Sequence, residues 1–173
     1  MTRNRQSAKK AGASFEKAVA DYLAWALDDP RIERRHLSGM KDRGDITGVM
    51  YDQERVVLEC KNVVQPRLNQ WLKEAEEEAG NDDALLWAVV YKVRGVGITA
   101  DKIGQHHVVM PAYLLEYLTN PASLSFTPHS ALDMAQREIH PHENTPCTIS
   151  LHYLAYLLNH RQPLGPDETE HNT

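Results

Sequence analysis

Residues 84–93, ALLWAVVYKV, restrict the fold more than any other segment. They run apolar, without alternation, until Lys92. A strand with one wet face alternates apolar and polar side chains, so an unbroken run marks a strand covered on both faces. The flanking sequence supplies the cover. Phe15, Val19, Tyr22, Leu23 and Ala26 recur at helical spacing and predict a helix over about 14–28, with Ser14 as N-cap and Asp28-Asp29-Pro30 as its stop. Leu68, Trp71, Leu72 and Ala75 predict a second helix over about 67–79, opened by Pro66 and closed by Gly80-Asn81. Its glutamates, Glu74, Glu76, Glu77 and Glu78, fall off that apolar face. Further strands are expected at 31–37, 45–51, 54–62 and 107–110, and a helix from Pro111 to about Leu118. TISLHYLAYLLN, residues 148–159, reads as a helix whose apolar face must be buried on the core or at a dimer interface. The order of elements predicts an α/β fold with a mixed central sheet flanked by helices.

The chemistry gathers in the hairpin GDITGVMYDQERVVLECKN, residues 44–62. Its second strand ends an apolar run in Glu59-Cys60-Lys61. Period-2 geometry puts Glu59 and Lys61 on one face and turns the Cys60 side chain to the core. With Asp52 as the apex of the turn, Asp45 falls opposite Glu59. Directly opposed Cβ atoms lie ~4.5–5.5 Å apart, and two carboxylates that close repel unless a cation sits between them. A hard divalent ion with oxygen ligands, Mg²⁺ with Mn²⁺ as its substitute, suits the pair. Asp45, Glu59 and the main-chain carbonyl of Cys60 are the expected metal ligands. Lys61 can position a water, act as a base if the metal depresses its pKa, or stabilise a phosphate in transition. Glu16, on the first helix, can reach the same place. The alternative for these residues is a surface salt-bridge cluster, and for Glu16 a glutamate favoured by the helix dipole.

Asp45 after Gly44, followed at hairpin spacing by Glu59-Cys60-Lys61, resembles the PD-(D/E)xK nuclease superfamily, with Gly-Asp in place of Pro-Asp. Glu16 in GASFEKAVADYL is similar to the helix-one glutamate of that superfamily. The run Arg34-Arg35-His36-Leu37-Ser38-Gly39 leading into Gly44-Asp45 resembles the Holliday-junction resolvase branch. The resemblance covers residues 12–118 at most. It implies a restriction-endonuclease-like core, catalytic Glu16, Asp45, Glu59 and Lys61, and a magnesium-dependent endonuclease acting on DNA, in particular branched DNA. Two symmetric nicks would call for a homodimer. A restriction- or repair-type nuclease of the same fold, and a non-catalytic nucleic-acid-binding protein, are the alternatives. Arg34, Arg35, Ser38, Lys41, Arg43 and Gln70 are the candidate DNA contacts, each with a solvated surface position as its alternative.

Charge and composition bound these readings. The net charge is −5, which argues against a chain that coats nucleic acid. Residues 1–61 nonetheless carry 12 Lys/Arg against 10 Asp/Glu, and residues 62–173 carry 7 against 14. Residues 1–11 read as a flexible basic arm, 12–118 as the core, 119–162 as a C-terminal extension, and 163–173 as a disordered tail. No apolar run is long enough for a membrane span, and the basic N-terminus lacks the apolar centre of a signal peptide. Two cysteines, Cys60 and Cys147, make a reducing, cytoplasmic setting the expectation. His129, His140, His142, Cys147 and His152 lack the paired spacing of a zinc site and read as scattered surface residues.

Overall fold

The computed structural model describes residues 5–35, 43–120 and 145–166. Helix α1 spans Arg5–Ala26. It starts well before Ser14, because RQSAKKA is rich in good helix formers. Ser14 is therefore no N-cap. Its hydroxyl donates to the Lys10 carbonyl one turn back, at 2.9 Å. Residues 5–10, expected as part of a flexible arm, form an exposed helical extension. Strands β1 (Glu33–Arg34), β2 (Ile46–Thr47), β3 (Met50–Tyr51) and β4 (Glu54–Lys61) follow. Helix α2 (Leu68–Asp82) leads to β5 (Leu86–Tyr91), then β6 (His107–Pro111), α3 (Ala112–Thr119), β7 (Pro146–Ser150) and α4 (Leu151–Leu158).

The sheet has seven strands in the order β1-β2-β4-β5-β6-β7, with β3 also paired to β4. Strands β4 and β5 are parallel, and every other pair is antiparallel. A parallel pair needs a crossover connection, and α2 provides it. Strand β5 lies in the middle of the sheet, and Leu86 to Val90 are all buried. The unalternating sequence of this strand follows from that position.

Other boundaries differ from the sequence reading too: the strand expected at 31–37 is Glu33–Arg34 among the described residues, and the one expected at 45–51 is broken into β2 and β3. Helix α2 continues through Gly80 and Asn81, and ends where Asp83 turns into the left-handed region at φ 51°. Thr148, Ile149 and Ser150 are strand, not helix. They pair with β6, where Ile149 faces Val108, and β-branched residues suit that ladder. Ser150 then caps α4, accepting the Tyr153 N–H at 3.1 Å. Leu151, Leu154, Ala155, Leu157 and Leu158 are buried in the common core, so α4 packs on its own chain.

The hairpin register departs from the sequence reading and then returns to it. Asp52 and Gln53 both have positive φ and form a two-residue turn, so Tyr51 pairs with Glu54 and Met50 with Arg55. This is one residue out from a turn centred on Asp52. An extra residue near Gly48 bulges the first strand, and by Ile46 the partner is Leu58, as expected. Gly48 sits at φ +87°, and a Cβ there would lie 2.4 Å from the Arg31 carbonyl oxygen. Only glycine fits this bulge, and the bulge aims Asp45 at the end of β4.

Candidate active site

Strand β4 and helix α2 lie in register and run in opposite directions. Arg55, Val57, Glu59 and Lys61 alternate onto one face of β4. Glu74, Glu78 and Asp82 repeat every four residues along α2 and form a stripe on one face of it. Lys61 Nζ meets Glu74 Oε2 at 3.2 Å, and Arg55 donates to the Asp82 carbonyl at 2.9 Å. Between these two rungs Glu59 faces Glu78, whose charge and side-chain hydrogen bond both favour protonated Glu59. Two ionised carboxylates buried side by side are costly, so this rung opposes folding once both are ionised.

Asp45 completes that rung. Gly44 (φ +82°) brings the chain close to β4, where a Cβ would lie 2.8 Å from Val57 Cγ1. The Asp45 N–H then donates to the Leu58 carbonyl at 3.0 Å. Its Oδ2 accepts the Cys60 N–H at 2.9 Å, taking the place of a missing strand carbonyl. The Asp45 carbonyl is used by the Arg35 N–H at 2.7 Å. The Asp45 main chain is fixed on two sides and one carboxylate oxygen on a third, and the carboxyl group meets Glu59.

The protonation states record the crowding. Burial, then the charge of Glu59, pushes Asp45 up to about 7 against the opposing effect of the Cys60 N–H, with Glu16 adding to the rise. Burial also raises Glu59 to about 7; its hydrogen bond to Lys61 opposes this, and the charge of Glu78 adds to it. Burial alone would lower the Lys61 ammonium, but hydrogen bonds and charge from Glu59 and Glu74 outweigh it and the net shift is upward. Lys61 lies 2.8 Å from Glu59 Oε1. In the metal-free protein it is a cation held between Glu59 and Glu74.

The donor set fits a hard divalent cation. Asp45 and Glu59 have pKa values raised to about 7 even with the Lys61 ammonium 2.8 Å from Glu59, so when both ionise they carry negative charge that a divalent ion would offset. Among the described residues no three His, Cys, Asp or Glu side chains form a metal cage. Mg²⁺ commonly takes one or two carboxylates and fills its remaining positions with water and other oxygens.

The other predicted residues divide. Glu16 lies in the body of α1 rather than its first turn, bonded to Arg34 Nε at 2.6 Å, and its charge is felt at Asp45. Arg35 and Arg43 both turn to Asp82, at 3.0 and 3.7 Å. With Arg55 they line a cleft of about 280 Å³, where three guanidinium groups outnumber one carboxylate. Gln70 donates to Glu74 Oε1 at 2.9 Å, and so supports the carboxylate that holds Lys61. Ser38 and Lys41 lie outside the described residues, as do His129, His140 and His142. Cys147 lies on β7, and His152 Nδ1 is 3.0 Å from the Tyr22 hydroxyl.

Sequence reasoning missed Glu78, Glu74 and Arg55. The helix EAEEEAG carries too many glutamates to show which two face the sheet. The four-residue spacing of Glu74, Glu78 and Asp82 was the available signal. No family model, curated protein or solved structure matches the chain.

Proposed function

We propose that the protein is a metal-dependent endonuclease that hydrolyses DNA phosphodiester bonds, with a restriction-endonuclease-like core of the PD-(D/E)xK type. The observation that carries this reading is the meeting of Asp45 and Glu59 beside the Lys61 ammonium, 2.8 Å from Glu59. A salt-bridge cluster has no use for two acids pressed together in a buried place. A hydrolytic site does. Asp45, Glu59 and the Cys60 carbonyl would hold Mg²⁺, which when bound polarises a phosphate oxygen and activates a water. Lys61, held as a cation, would neutralise charge that builds on the phosphate during attack. Glu74 orients Lys61, and Glu16 adds a negative charge on the Asp45 side while Arg34 neutralises it in the free protein.

Branched DNA is the proposed substrate, and a homodimer the proposed form for paired cuts. The basic residues support DNA contact near the site, since Arg34, Arg35 and Arg43 flank the segment that leads to Asp45. Most affinity in such contacts is to phosphate. The test is cleavage of a four-way junction, a linear duplex and single strands, with Mg²⁺ or with chelator. Cutting that requires Mg²⁺ and is lost in Lys61→Ala supports the enzyme. Equal cutting of linear duplex and junction would remove the branched substrate and leave the nuclease.

A further inference from the structure

A cleft of about 630 Å³ opens where β4 passes into α2, lined by Asn62, Val63, Val64, Pro66, Tyr91 and Arg94 among others. It begins where the candidate active site ends, because the Lys92 N–H bonds the Lys61 carbonyl at 2.9 Å. Three features of it need a reason. Val63 and Val64 stand 51% and 85% exposed, side by side at the mouth. The Tyr91 ring is braced, with its hydroxyl 3.1 Å from His107 Nδ1, His107 edge-on at 5.3 Å and Trp71 at 5.6 Å on centroids. Arg94 is exposed at the rim, just past the end of β5.

Exposed apolar side chains at the mouth, a braced aromatic ring and a cation at the rim together suit a base and its phosphate. A base pair in a duplex keeps its faces stacked and could not use these groups, whereas an unpaired nucleotide can lay its face on apolar and aromatic side chains while cations track its phosphates. We propose that this cleft receives one or two unpaired nucleotides of the strand being cut, immediately beside the scissile phosphate. It rests on the nuclease reading and sharpens the substrate class to DNA with a single-stranded or splayed segment at the cut.

The test uses binding without chemistry. A fluorescein-labelled eight-nucleotide oligo-dT and a blunt duplex are titrated with full-length protein in EDTA and followed by anisotropy. Val63→Ser/Val64→Ser changes exposed side chains only and carries no charge change. It is expected to weaken oligo-dT binding about tenfold and to leave duplex binding within about twofold. Arg94→Gln is expected to weaken both and to flatten the salt dependence of each. Absence of oligo-dT binding by wild type, or oligo-dT binding by the double serine variant equal to wild type, overturns the proposal. So does equal loss for duplex and single strand in the double serine variant. Cleavage with Mg²⁺ is scored apart. Binding as expected with no cutting leaves the cleft and removes the nuclease. Cutting with no single-strand preference does the reverse.

Discussion

Glu78 on α2 faces Glu59 on β4, between an Arg55–Asp82 contact and a Lys61–Glu74 ion pair. Its charge helps to hold Glu59 near 7. Replacing that charge with an isosteric amide removes a repulsion and supplies a donor. Glu78→Gln should lower the Glu59 pKa towards the ordinary carboxylate range. The acidic limb of the pH–cleavage profile should then move to lower pH, while a merely structural role for Glu78 would change the rate without moving the limb. The same variant should melt higher than wild type in EDTA at pH 8.

Removing Lys61 separates its two jobs. Lys61→Met keeps the stem and loses the ammonium that partners both Glu59 and Glu74. Cleavage should fall by about 10²-fold or more, the loss seen when one preorganised charge is taken from a transition state. Metal binding should survive, since Asp45 and Glu59 remain. Isothermal titration with Mn²⁺ measures this. Loss of metal binding along with cleavage would instead make Lys61 a support for the carboxylates.

The linkage between pH, metal and stability has a definite sign. Asp45 and Glu59 rise from 3.8 and 4.5 in their ordinary state to about 7 in the fold. The folded, metal-free protein therefore binds more protons than the unfolded chain between about pH 4 and 7. Its stability is full below that range and declines as pH rises through it, by on the order of a few kcal/mol for the pair. A cation needs both groups ionised, so Mg²⁺ should raise the melting temperature little at pH 5 and clearly at pH 8. Asp45→Asn should melt higher than wild type at pH 8 in EDTA and lose the Mg²⁺ response. Thermal melts at the two pH values, with and without Mg²⁺, check all three outcomes.

Much of this site was legible because its parts are local. Asp45, Glu59 and Lys61 sit within one hairpin, and the alternation of β4 alone puts two of them on one face. The ALLWAVVYKV run likewise announced a strand covered on both sides. Glu78 was hidden because its role depends on how α2 rotates against β4, which is a tertiary fact. The strand at Thr148–Ser150 was hidden for the same reason, since its partner β6 lies far off in sequence. The Asp45–Glu59 juxtaposition was reached through a turn read one residue short and a bulge not foreseen. The two offsets cancel by Ile46.

That cancellation makes Gly48 a test of the register itself. Its φ of +87° is strained for any other residue, and the nearest obstacle to a Cβ is the Arg31 backbone, which cannot step aside as a side-chain tip could. Gly48→Ala should cost on the order of 1–3 kcal/mol for the backbone conformation, plus the clash. Two responses are open to the chain. If β2 keeps its register, the variant unfolds earlier but cleaves normally per folded molecule. If the strand relieves the strain by losing the bulge, Asp45 slips by one residue and its side chain turns to the opposite face. Cleavage and Mg²⁺ stabilisation should then vanish together in a protein that is still folded at low temperature. The bulge is proposed as the device that aims Asp45, so the second response is the expected one. Gly95→Ala serves as a control: its φ is +83°, but nothing lies within 4 Å of an added Cβ. It should lower the melting temperature and leave the Mg²⁺ response in place.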